Sequence, residues 1–134
     1  MIRRLLLRTA CILLIAPVAA LAADNPGLEV STAAAHADMA STAPSLGVAQ
    51  MHFHHVINCL VGNEGKGYDA KAEDPCAGMG TGALNDTRRS AAEHATLEQA
   101  LTMAEQGLKA PTLAAAHATA AKVAATLQAA EGGK

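Results

Sequence analysis

The chain has 134 residues, with ten Lys and Arg against twelve Asp and Glu and a formal charge of −2. This mildly acidic balance, without a basic patch, argues against nucleic-acid binding and against an anionic membrane surface as partner. About half the residues are hydrophobic, yet there is one Phe, one Tyr and no Trp. The length predicts one domain.

Residues 1–22 read as a cleaved signal peptide. Arg3, Arg4 and Arg8 form a positive start, Cys11-Ile12-Leu13-Leu14-Ile15 opens an apolar run, and Ala20-Leu21-Ala22 has the A-x-A form of a cleavage site. The run is short and broken by Pro17, which counts against a membrane span. Cys11 lies too early for a lipoprotein cleavage point. Cleavage leaves 112 residues and removes three arginines but no acid, taking the formal charge from −2 to −5. The expected location is periplasmic or secreted. Two cysteines remain, and in an oxidising compartment a Cys59–Cys76 disulfide is the simple expectation. It would contribute about 3 kcal/mol on the chain-entropy estimate.

The rest, 23–134, reads as a single helical domain. A first helix is predicted over about 28–43, with Leu28, Thr32, Ala35, His36, Met39 and Ala43 on one side. Pro44 interrupts it. A second helix, about 45–61, places Ala49, Phe53, Val56, Ile57 and Leu60 on one face. His52 and Cys59 lie at one edge of that face, His54 at the other, and His55 points roughly away. The β-branched Val56 and Ile57 make a short strand the rival reading, but the helical period fits better. Residues 62–85 form a long, acidic, Gly-rich loop; loops of this length are usually functional or cross-linked. Its Gly78-x-Gly80-x-Gly82 lacks the following Lys-Ser/Thr and the preceding strand of a phosphate loop. Its Asp69, Glu73 and Asp74 lack the D-x-[DN]-x-[DN]-G order of a calcium loop and read as solvated.

A third helix is predicted over about 86–108, with capping-box spelling at Ser90 to Glu93 that would allow a start as late as Ser90. Its apolar face is His94, Leu97, Leu101, Ala104 and Leu108, and Gly107 and Pro111 bracket a turn. A fourth, about 111–130, would start with Pro111 at its first position and bury Leu113, Ala116, His117, Ala120, Val123, Ala124 and Leu127. The architecture expected is all-α: an up-down-up-down four-helix bundle, with a disulfide-stapled loop between its second and third helices. Alanine forms helices well but buries little area, so the core should be thin. A second Ala-rich face makes a homodimer plausible.

Each predicted helix carries a His, and bundles commonly build metal sites from facing side chains. At about 1.5 Å rise per residue, His36 and His52 stand about 12 Å from the end where the short connections lie, His117 about 10 Å and His55 about 16 Å. Met39, Met51 and Met103 fall at about 7–11 Å, and His94 at about 24 Å. The expected metal layer is therefore His36, His52 and His117, with His55 beside it and Met39 or Met103 as a soft fourth ligand. For Met51 and Met103 the core-filler reading is the stronger one, and His94 with Glu98 reads as a separate, weaker pair. Imidazole suits copper, zinc and nickel; thioether sulfur tilts the choice to copper. Against this stands the bland reading: there is no H-E-x-x-H or C-x₂-C, and an isolated His on an Ala-rich face is usually a satisfied side chain.

No nucleophile elbow, convincing triad or paired carboxylates point to an enzyme. Covalent haem is excluded by the missing C-x-x-C-H; a b-type haem held by His/Met or bis-His ligation is the third reading, against which such a pocket wants more large apolar side chains than this chain has. The alternative to a metal protein is a non-catalytic interaction module that presents loop 62–84, with Tyr68, to a periplasmic protein partner.

At His54-His55-Val56-Ile57-Asn58-Cys59-Leu60-Val61-Gly62, and again at Asp74-Pro75-Cys76-Ala77-Gly78-Met79-Gly80, the chain resembles small exported helical proteins of Gram-negative bacteria. The resemblance spans the second helix and the loop and carries over no catalytic residue. The Ala/His spelling at Ala91-Ala92-Glu93-His94-Ala95 and Ala115-Ala116-His117-Ala118 is also similar, in composition, to small periplasmic metal-binding helical proteins. The present chain is less His-dense, so that likeness does not imply high-capacity metal storage.

Overall fold

The computed structural model describes residues 24–132, and every regular element among them is a helix. The predicted signal segment lies outside the described residues. The helices are α1 (Pro26–Ser41), α2 (Leu46–Val61), α3 (Ala83–Asp86), α4 (Ala91–Leu108) and α5 (Leu113–Gly132). They form a helical bundle in which α1 and α4 each pack against both α2 and α5. No helix among the described residues is long and apolar enough to cross a membrane.

Local chemistry sets the boundaries. Asn25 caps α1 through its side chain, which accepts the Leu28 N–H at 3.1 Å, and Pro26 takes the first turn, where its missing N–H costs nothing. Ser45 caps α2 by accepting the Val48 N–H at 3.3 Å. Gly62 ends α2 with φ +69°, a conformation that favours glycine. The rival strand at Val56 and Ile57 is absent; both are buried within α2. One expectation is corrected at α5. Thr112, not Pro111, starts this helix: its hydroxyl accepts the Ala115 N–H at 3.2 Å and leaves Pro111 outside. Gly107 lies in the last turn of α4 and its carbonyl accepts the Ala110 N–H at 3.1 Å, so it opens the turn as expected. Within loop 62–85 the short α3 was not anticipated.

The core follows the predicted faces of α2, α4 and α5, with Phe53, Val56, Ile57, Leu60, Leu97, Val123 and Leu127 buried. The predicted face of α1 is corrected. Leu28 is 45 % and Met39 48 % exposed, while Val30, Ala33, Ala34, Ala37 and Ala40 are buried. The larger apolar side chains misled the wheel, because α1 buries the side on which small residues let neighbours approach closely. The same closeness explains Gly107. A Cβ there would stand 2.2–2.5 Å from three ring atoms of Phe53, which is wholly buried.

The long loop is closed at its neck. A Cβ on Gly62 would meet the Thr81 carbonyl at 2.0 Å, and one on Gly82 would meet the Gly62 nitrogen at 2.5 Å. Inside, Cys59 and Cys76 stand at disulfide distance, with sulfurs 1.98 Å and Cα atoms 5.1 Å apart. The buried Asn58 side chain binds the loop backbone, donating to the carbonyls of Asp69 (3.1 Å) and Glu73 (3.2 Å) and accepting the Asp69 N–H (2.9 Å).

Two outcomes follow. Gly107→Ala should destabilise the protein by about 1–3 kcal/mol, as overpacking does, although alanine is about 1 kcal/mol better in a helix; the urea midpoint measures it. Glu29, on α1, is 1 % exposed, and burial, then the nearby Asp86 carboxylate, push its pKa from 4.5 to about 7 against the opposing hydrogen bond from Gly82. The native state thus holds a proton that the unfolded chain releases. That contribution is complete below pH 4.5 and is lost as pH rises through about 7. Glu29→Gln should flatten this part of the stability profile and make the metal-free protein more stable than the parent at pH 8, as thermal unfolding across pH will show.

Candidate metal centre

Helix periodicity brings the site together. His52 and His55 are three apart on α2, so their side chains share one side of that helix. His36 meets them from α1. Its Nδ1 lies 3.2 Å from the Nδ1 of His52 and 3.2 Å from the Nδ1 of His55. One ligand atom from each of the three falls within 4.8 Å of the others. The rings meet edge to face at His36–His55 (86°) and His52–His55 (82°), and are tilted by 39° at His36–His52. His55 is 4 % exposed, so it points inward and not away from the core as expected; the other two are half-buried.

The spacing has a chemical meaning. Metal–imidazole bonds of about 2.0–2.1 Å in tetrahedral array put the nitrogens about 3.3 Å apart. The observed 3.2 Å is close to that edge. A neutral imidazole has one N–H and one lone pair, so the single Nδ1 of His36 cannot fully satisfy two facing Nδ1 atoms with one proton.

Electrostatics keeps these rings neutral. Burial, followed by repulsion from His55 and His52, lowers the His36 pKa from 6.5 to about 4, with Glu73 acting in the opposite direction. Burial lowers His52. Burial, then His52, lowers His55, again against Glu73. These rings therefore take up protons below the ordinary imidazole range near 6.5.

The other sequence candidates lie apart from this group. His117 Nε2 is 2.9 Å from the Ala43 carbonyl, where it ties α5 to the connection between α1 and α2. Height along the bundle had placed His117 with the others, but height does not specify direction around the axis. Met39 is exposed, and Met103 is partly buried against the core. Met51, expected as core filler, is 44 % exposed. His94 sits 3.6 Å from Glu98 and does not join the three, as expected. His54 pairs with Asp69 at 3.3 Å.

Two contributors escaped sequence reasoning. Asn58 was one letter in an apolar helix; a polar residue amid buried positions three after His55 was the available signal. Glu73 read as a solvated loop acid, and its exposed carboxylate still acts on His36 and His55.

Comparison with protein-family models, with curated proteins and with solved structures finds no match to this chain.

In metal-free protein, His36 should remain neutral until the pH approaches about 4. Its folded pKa lies below the unfolded value, so its contribution to stability is intact above pH 6.5 and is lost as pH falls through about 4. Imidazole NMR titration measures this directly.

Proposed function

We propose that this chain is an exported, non-catalytic protein that binds one transition-metal ion through His36, His52 and His55 and buffers or delivers it in the periplasm. The convergence of three neutral imidazoles from α1 and α2, with Nδ1 contacts of 3.2 Å, carries this reading. Export is supported by the arginine-led apolar start and by two cysteines at disulfide distance. The scaffold is an up-down-up-down four-helix bundle, in keeping with short connections after α1 and α4 and a long stapled one after α2.

An all-imidazole set suits copper, zinc and nickel. Copper keeps first place because nitrogen sites bind Cu²⁺ most tightly among the common divalent ions. The thioether argument for copper loses its ground, since Met39 and Met103 do not join the nitrogens.

A second reading draws on loop 62–84. With Leu84, Arg88, His94 and Leu101 it borders an open groove of about 770 Å³, apolar at Val61 and Leu101 and cationic at Lys66 and Arg88. This is where the chain would receive a periplasmic partner if the loop were an interaction surface.

The protein, exported and purified without a tag, should carry one copper, zinc or nickel per chain by elemental analysis, or take one up on titration at pH 7. His52→Ala or His55→Ala should abolish stoichiometric uptake. His117→Ala should keep it while lowering stability, through loss of the contact with Ala43. Absence of uptake by the unmutated chain, or uptake surviving His52→Ala and His55→Ala together, would overturn the metal reading.

A further inference from the structure

Beneath the Gly-rich loop lies a second set of donors, all oxygen. Glu29 is a buried carboxylate with only one of its oxygens engaged. Oε1 accepts the Gly82 backbone N–H at 3.0 Å. Oε2 is shut off from solvent and has no hydrogen-bond partner. Asp86, at the end of α3, brings its carboxylate to the same place. The point where a Cβ on Gly80 would stand lies 2.2 Å from Asp86 Oδ2 and 2.8 Å from Glu29 Oε1. Asp86 is itself oriented by Thr81, whose backbone N–H donates to Oδ2 (2.9 Å) and whose hydroxyl donates to Oδ1 (2.5 Å).

Glu29 also lines a cavity of about 200 Å³, together with Asn58, Asn63, Tyr68 and Asp74. No Lys, Arg or His is among its lining residues. Its walls are thus acids, amides, a phenol and loop backbone, with Cys76 and Ala77 beside them. A buried carboxylate with one oxygen unpartnered demands compensation, and a second carboxylate beside it adds to that demand. Either a proton or a cation can supply it.

We propose that Glu29 and Asp86 are ligands of a second metal site, an oxygen-donor site for a divalent cation of the calcium class, closed over by the Gly-rich loop. Carboxylate, amide and carbonyl oxygens select hard ions over the transition metals suited to imidazole. Irregular loop backbone gives the flexible, many-oxygen geometry calcium accepts and magnesium resists. Gly80 is bare because a side chain there would collide with both carboxylates. The regular spacing of a calcium loop is absent because the carboxylates come from two helices, α1 and α3, and not from one loop. This site is independent of the imidazole reading.

The test uses the mature chain after treatment with a chelator, at pH 7. Calcium chloride at about 10 mM, well above the 10⁻⁴–10⁻³ M affinities usual in extracellular modules, should raise Tm by about 5 °C or more. Potassium chloride at the same ionic strength should not. Glu29→Gln and Asp86→Asn should each lose the calcium-induced rise, while His52→Ala keeps it. Equilibrium dialysis of the unmutated chain should find one bound calcium. A missing rise, a rise matched by potassium chloride, or a rise undiminished in both carboxylate variants would overturn the site. The first of these outcomes leaves a proton shared by the two carboxyls as the compensation.

Discussion

The side-chain amide of Asn58 is the joint at which α2 and the long loop become one body. It is wholly buried and uses both ends, holding the backbone of Asp69 and Glu73 by three hydrogen bonds. A buried amide left without partners would cost several kcal/mol, on the order of the penalty for any desolvated polar group. The loop is therefore bound to take this path. One residue on from the joint is Cys59, which meets Cys76. Three residues back is His55. The joint thus ties the imidazole group, the cysteine pair and the polar cavity under the loop into one region of the fold.

Much of this was legible in the sequence, for reasons that differ by element. The face of α2 could be read because Phe53, Val56, Ile57 and Leu60 are large and recur at helical spacing, and all are buried. His52 reads into the metal layer, but the wheel turns His55 away from the core, in which it is in fact buried. The face of α1 could not be read in the same way. Its buried side is mostly alanine, and alanine looks alike on every side of an Ala-rich helix, so Leu28 and Met39 drew attention to the wrong stripe. His117 was placed by height alone; its ring turned instead to the free carbonyl of Ala43. Glu29 gave no sign at all. A lone acid in the first turns of a helix is ordinarily a solvated partner of the helix dipole, and only the return of the loop over it makes it a buried group.

The two polar clusters show one force working in opposite directions. Burial disfavours charge of either sign. In the imidazoles this removes the proton and leaves lone pairs free at neutral pH. In Glu29 it raises the pKa from 4.5 to about 7, favouring the protonated form. Both clusters draw on α1, where Glu29 and His36 lie seven residues, about 10.5 Å, apart. One helix therefore presents nitrogen and oxygen donors about two turns apart, and the chemical softness of an ion would decide between them.

The alanine-lined packing of α1 and α5 bears on how stability varies with temperature. Unfolding raises the heat capacity by about 0.45 cal/mol/K for each Å² of apolar surface newly exposed. Alanine exposes little such surface, and here it fills most of the buried positions of α1 and many of those of α5. The unfolding heat capacity per residue should therefore be low and the free-energy curve broad. Such a chain loses stability slowly both on warming and on cooling.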